Sequence, residues 1–106
     1  MPKYLIQGSY SAQGLKGLLQ EGGSKRREAA EQLTKGIGGR LEAFYYAFGN
    51  DDFVISVDLP SNVDASALSL AANASGSVES RTTVLITPEE IDQATKKTVN
   101  FHPPGE

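Results

Sequence analysis

The run from Gly39 to Pro60, GRLEAFYYAFGNDDFVISVDLP, limits the fold more than any other stretch of this chain. Two β-branched or aromatic segments flank Gly49-Asn50-Asp51, residues that tolerate positive φ, so the pattern predicts a hairpin. Side chains alternate between the two faces of a strand. Strict alternation puts Leu41, Ala43, Tyr45 and Ala47 on one face of the first strand and Glu42, Phe44, Tyr46 and Phe48 on the other. In the second strand Phe53, Ile55, Val57 and Leu59 oppose Val54, Ser56 and Asp58. Both faces carry apolar bulk. A lone sheet with helices on one side leaves Phe44, Tyr46, Phe48 and Val54 toward water, and a patch of that kind marks a contact surface.

The rest of the chain supplies two more strands and their connections. Lys3 to Tyr10 alternates Tyr4, Ile6, Gly8 and Tyr10 against Leu5, Gln7 and Ser9, which suits a strand. Ser11 to Gly23 holds Gly14, Gly17, Gly22 and Gly23, and the helix penalty of each glycine predicts a loop with at most one short helical turn. A helix is predicted from an N-cap at Ser24 through about Ile37, with Ala29, Ala30, Leu33 and Ile37 at helical spacing and Gly38-Gly39 as its stop. After Pro60, Ser61 caps a second helix whose Val63, Ala67, Leu68, Leu70, Ala71 and Ala74 form the expected buried stripe before Gly76. Ser77 to Ile86 returns as a strand. Thr87-Pro88-Glu89-Glu90 is a capping box with proline at the first helical position, and it starts a short third helix ending near Lys97. Residues 98–106 form an extended tail carrying Phe101 and His102.

The order β-α-β-β-α-β, with right-handed crossovers, is that of a split βαβ or ferredoxin-like α+β fold: a four-stranded antiparallel sheet with its main helices on one face. One uncovered apolar face then predicts a second copy laid sheet to sheet, closing a dimeric α/β barrel. The 106 residues suit a single domain spanning 1–106. A formal charge of −3 with no basic stripe beyond Lys25, Arg26 and Arg27, diluted by Glu28 and Glu31, argues against nucleic acid or an anionic membrane as partner. No apolar run approaches a membrane span or a signal-peptide core, so the expected location is the cytoplasm. Without cysteine there are no disulfides and no thiolate chemistry, and His102 is the only histidine, so neither metal nor cofactor is expected.

Five residues stand out as candidate ligand contacts: Tyr10, Tyr46, Asp52, Asp58 and Arg81. Each also has a plainer reading. Asp52 follows the turn, where its carboxylate can fix the backbone within Gly49 to Asp52; beside Asp51 it could instead form an acid pair with one raised pKa. Gln7, Asp58 and Arg81 form a polar band on one sheet face, either as an Asp58–Arg81 pair across a dimer interface or as a binding patch inside the barrel. The tyrosines Tyr4, Tyr10, Tyr45 and Tyr46 can line a cleft or simply fill the core. No serine-histidine-acid set, phosphate-cradling glycine loop or redox motif is spaced for catalysis.

Gly38-Gly39, the aromatic strand Phe44-Tyr45-Tyr46, Gly49 and Asp52, Leu59-Pro60, the Ala-rich helix closing on Ser75-Gly76 and the tail from Phe101 to Gly105 together resemble the GYD domain family. Asp51 stands where the family's name-giving tyrosine precedes the aspartate. The resemblance covers nearly the whole chain. It implies a ferredoxin-like fold related to dimeric α/β-barrel proteins, in small bacterial proteins of uncharacterised function. Three functions are then expected in turn: a homodimeric small-molecule-binding or regulatory module; a cofactor-independent monooxygenase- or isomerase-like enzyme on a small aromatic compound; and a structural subunit of a larger assembly. The second rests on fold analogy.

Overall fold

The computed structural model describes residues 1–106, in the order β1 (Lys3–Tyr10), α1 (Ala12–Glu21), α2 (Gly23–Gly36), β2 (Arg40–Tyr46), β3 (Phe53–Asp58), α3 (Asn62–Ala74), β4 (Val78–Leu85) and α4 (Pro88–Thr95). The strands pair antiparallel in the order β2-β3-β1-β4. This is the ferredoxin-like arrangement. Both long helices, α2 and α3, cover one sheet face, the arrangement that right-handed crossovers from the neighbouring strands β1 and β3 produce. No helix is long and apolar enough to cross a membrane.

Local chemistry explains most of the boundaries. The Ser61 hydroxyl accepts from the Asp64 amide to start α3, and Thr87 and Glu90 complete a reciprocal capping box on α4. Gly38 takes φ +82 after α2 while the Gly39 amide returns to the Thr34 carbonyl at 2.8 Å, which stops the helix where the glycine pair predicts. The N-cap of α2 is Gly22, at φ +85, rather than Ser24.

The stretch Ser11 to Gly23 departs from its expected loop. It forms the ten-residue helix α1, capped by the Ser11 hydroxyl accepting from the Gly14 amide. Propensity loses here to packing. The start of α1 lies against the beginning of β4, with the Ser11 amide donating to the Ser77 carbonyl at 2.9 Å, and a Cβ on Gly14 would collide with that same carbonyl. Only glycine permits the approach, so its helix cost is offset by the contact.

The core is small and lies at one end of the sheet. Tyr4, Val57, Leu59, Ala65 and Leu68 are buried together, with Ile6, Ile37, Leu41 and Ile55 packed against them. On α3 the inward positions are Ala65, Leu68 and Ala72, while Val63 and Leu70, expected inside, are 77% and 72% exposed. The apolar residues of this helix spread round more than one face, so periodicity alone selected the wrong stripe.

A β-bulge in β2 decides which way the aromatic residues point. Leu41 pairs with Val57, yet the next partners are Ala43 and Ser56, leaving Glu42 as an extra residue. Parity changes at that point. Leu41 before the bulge and Phe44 and Tyr46 after it therefore share the face of Val57, Ile55 and Phe53, the one that the helices cover. The expected location of Phe44 and Tyr46 on the open face is thus corrected, as is that of Phe48, whose ring stacks on Tyr46 at 6.1 Å. The turn is also different from the expected tight one: six residues separate β2 from β3, and the positive φ, 55°, belongs to Phe48 rather than to Gly49 or Asn50.

The open face is mixed in character. Register places Leu5, Val54, Tyr45 and Leu85 there among Lys3, Gln7, Arg40, Asp58 and Arg81. Beyond β4, α4 touches almost nothing, and every residue from Ile86 onward is exposed. Hence the radius of gyration is 17.0 Å, against about 13 Å for a compact chain of this length.

Candidate functional site

α2 and α3 barely touch each other. Between them, above the sheet, lies a cleft of about 170 Å³. Its lining is almost wholly apolar, with few polar groups, which is the usual character of a small-molecule pocket and makes it the candidate site of this domain. Its walls follow from features already described. The bulge turns Phe44 inward, the glycine-capped α2 supplies Ala29, Ala30 and Leu33, and α3 contributes Leu68 and the small Ala72.

The wall is apolar except at one end. There Tyr10, at the end of β1, packs its ring at a tilt against Phe53, 5.3 Å between centres, and its hydroxyl lies beside Tyr46 and Arg26. Burial, followed by the neighbouring Tyr46, pushes the Tyr10 phenol up to about 12, with Arg26 opposing. Tyr46 is itself positioned by its hydroxyl, which donates to the Gly23 carbonyl at 3.2 Å, and by the edge of Phe44 at 5.2 Å. A Cβ on Gly23 would sit 3.0 Å from the Tyr46 ring, so glycine at the first turn of α2 is what lets the tyrosine reach it. Tyr10 and Arg26 are the only titratable residues on the cleft wall. The buried Thr34 keeps its hydroxyl within α2, donating to the Ala30 and Glu31 carbonyls at 3.0 Å each.

The five candidates thus separate. Tyr10 lines the polar end of the cleft, and Tyr46 lies beside Tyr10 without forming part of the wall. Asp52 stands behind them: its carboxylate accepts from the Tyr10 amide at 2.9 Å, while its own amide donates to the Gly8 carbonyl at 2.8 Å. It fastens the hairpin to β1 rather than bonding within Gly49 to Asp52. Asp58 and Arg81 lie on the opposite, open face, and there they do not pair with each other. Asp58 opposes Lys3 near one end of β1, whereas Arg81 opposes Gln7 near the other.

Each has its own partner. Asp58 receives Arg40 at 2.8 Å and Lys3 at 3.0 Å, and Lys3 also contacts Glu42 in the bulge. The Arg40 guanidinium, then Lys3, holds the Asp58 carboxyl below the usual carboxylate range although burial opposes them. Arg81 grips Asp51 with both guanidinium nitrogens, at 3.0 and 2.8 Å, and draws its carboxyl down. A raised Asp51–Asp52 acid pair is therefore not what Asp51 forms. No three acidic or histidine side chains converge to hold a metal ion.

A family model for the GYD domain matches residues 4–95. The chain belongs to the GYD domain family. No curated protein and no solved structure matches it. The matched span of the GYD domain takes in the whole sheet but for Lys3 at the start of β1, all four helices and the whole cleft. In this GYD domain the aspartate of the name-giving triplet, Asp52, holds the strand end that carries Tyr10, and Asp51 in the tyrosine position bridges to β4 through Arg81.

Arg26 and Phe44 are the site residues that pattern reading missed. Arg26 looks like part of a solvated basic cluster, yet with Ala29, Ala30 and Leu33 it occupies the i, i+3, i+4, i+7 stripe that faces the sheet. That spacing was the available signal. For Phe44 the sequence held none, because the bulge that redirects it is set by pairing with β3.

Proposed function

We propose that this GYD domain is a homodimeric small-molecule-binding module whose ligand occupies the cleft between α2, α3 and the sheet. The observation that carries the reading is the unfilled apolar volume of about 170 Å³ with its few polar groups gathered at one end. Binding is favoured over turnover by the character of those groups. Tyr10, with its phenol near 12, remains protonated at neutral pH, and a guanidinium is no base, so the wall offers nothing to abstract a proton.

Self-association is supported by how little one chain covers. Nine of 106 residues are buried, far fewer than a domain of this length needs for an independent core. Leu5, Val54, Tyr45 and Leu85 lie on a sheet face with no helix over it, and Ile91, Val99 and Phe101 project on α4 and the tail. A second copy would cover the former, the latter or both.

Native mass spectrometry of freshly purified protein tests both halves at once. The expected result is a particle of twice 11.3 kDa that retains a small molecule in the wild type and loses it in Ala72→Leu, which takes up nearly half of the cleft. A bare 11.3 kDa species that takes up no added small apolar compound would overturn the reading.

A further inference from the structure

Polarity along the cleft is graded, and the gradient describes a ligand. At one end stand Tyr10 and Arg26; at the other, toward the buried core, stand Leu41, Val57 and Leu68. Resting on the reading of this cleft as a ligand site, we infer that its occupant is an amphipathic monocarboxylate, with one aryl ring or a short acyl chain toward Leu68 and its carboxylate at Arg26 and the Tyr10 hydroxyl.

Size sets the body of the ligand. A dry apolar cavity of about 150 Å³ accommodates benzene, so 170 Å³ admits a single ring or a chain of similar bulk. Charge sets the head. Arg26 is the only cation on the wall and no acid lines it, which suits a single negative charge rather than a phosphate dianion. The planar guanidinium fork matches a carboxylate. Its sole ion partner is Glu21, at 3.4 Å, and the two side chains are 41% and 47% exposed, so the pair is loose and leaves most of the five N–H donors free. The Tyr10 hydroxyl, whose single O–H faces Tyr46 while that tyrosine donates to the Gly23 carbonyl, turns this O–H to the same oxygens when the ligand binds. Lys25 and Arg27, the neighbours of Arg26 on α2, are exposed and do not face the cleft.

Isothermal titration calorimetry at pH 7 with phenylacetate against phenylacetamide, and hexanoate against hexanamide, compares matched shapes with and without the charge. The wild type is expected to bind each acid at least about tenfold more tightly than its amide, the size of a charge-assisted hydrogen bond. Arg26→Gln should remove that preference, Tyr10→Phe should reduce it, and Glu21→Gln should enlarge it by releasing the guanidinium. If acid and amide bind alike to the wild type, the anionic head is wrong while the cleft remains a ligand site. If neither member of either pair binds at millimolar concentration, the cleft reading has failed and this inference with it.

Discussion

Replacing Ala72 by leucine tests whether the space between α2 and α3 is real. Ala72 sits on the inner side of α3 and lines the cleft. Leucine adds three carbons, about 80 Å³ of side chain, which would take up nearly half of the 170 Å³. At about 0.8 kcal/mol per buried carbon the gross gain is about 2.4 kcal/mol, and side-chain ordering takes back about 0.5–1 kcal/mol. A net stabilisation of about 1.5 kcal/mol is expected. With a urea slope of about 1.5 kcal/mol/M for a chain of this size, the midpoint should rise by about 1 M. Ala71→Leu, one residue along and facing water, is the control and should move it by less than about 0.3 M. Because stability rises while the cleft fills, ligand binding and stability should change in opposite directions. A midpoint lowered by Ala72→Leu and unmoved by Ala71→Leu would mean that the helices are already closed over the sheet, and the argument from the void would be wrong.

Two glycines in α1 should respond oppositely to alanine. Gly17→Ala, in open space, should stabilise by about 0.5–1 kcal/mol, whereas Gly14→Ala, pressed on the Ser77 carbonyl, should cost about 1–3 kcal/mol, both read from urea midpoints. For Asp58, whose carboxyl is held below its ordinary value in the fold, the added stability is fully present above the unfolded value of about 4 and is lost as pH falls through the folded one. Urea midpoints should therefore be level from neutral pH down to about 5 and drop below about 4. Asp58→Asn should start about 1–2 kcal/mol lower at pH 7 and fall less in acid; equal acid slopes for the two proteins would exclude the network with Arg40 and Lys3 as the cause.

What the sequence reveals depends on how far apart the deciding groups lie. Caps such as Ser61 and the Thr87–Glu90 box act within four residues, so the starts of α3 and α4 were legible from the chain alone. The strands were legible too, because alternation is local and four segments carry it. α1 was not: its glycines argue against a helix, and the contact that outweighs their cost joins Gly14 to Ser77, far along the chain. The same holds for the aromatic face, since the extra residue at Glu42 is defined only against Val57 and Ser56 on the neighbouring strand. Of the candidate residues, Tyr10 and Tyr46, singled out by residue type, lie beside each other, and Tyr10 lines the cleft. Asp58 and Arg81 do share one sheet face, as alternation predicts, but it is the face away from the cleft, and cross-strand and hairpin neighbours claim each of them.

The bulge at Glu42 also constrains how this chain can diverge. It acts as a one-letter frame offset: a descendant that lost it would keep its cleft only by moving its large side chains one place along as well. Among relatives, a gap at this spot should therefore travel with an exchange of residue types between neighbouring columns downstream. Aligned by letters alone, two such proteins would look unrelated over the very segment where their interiors are the same.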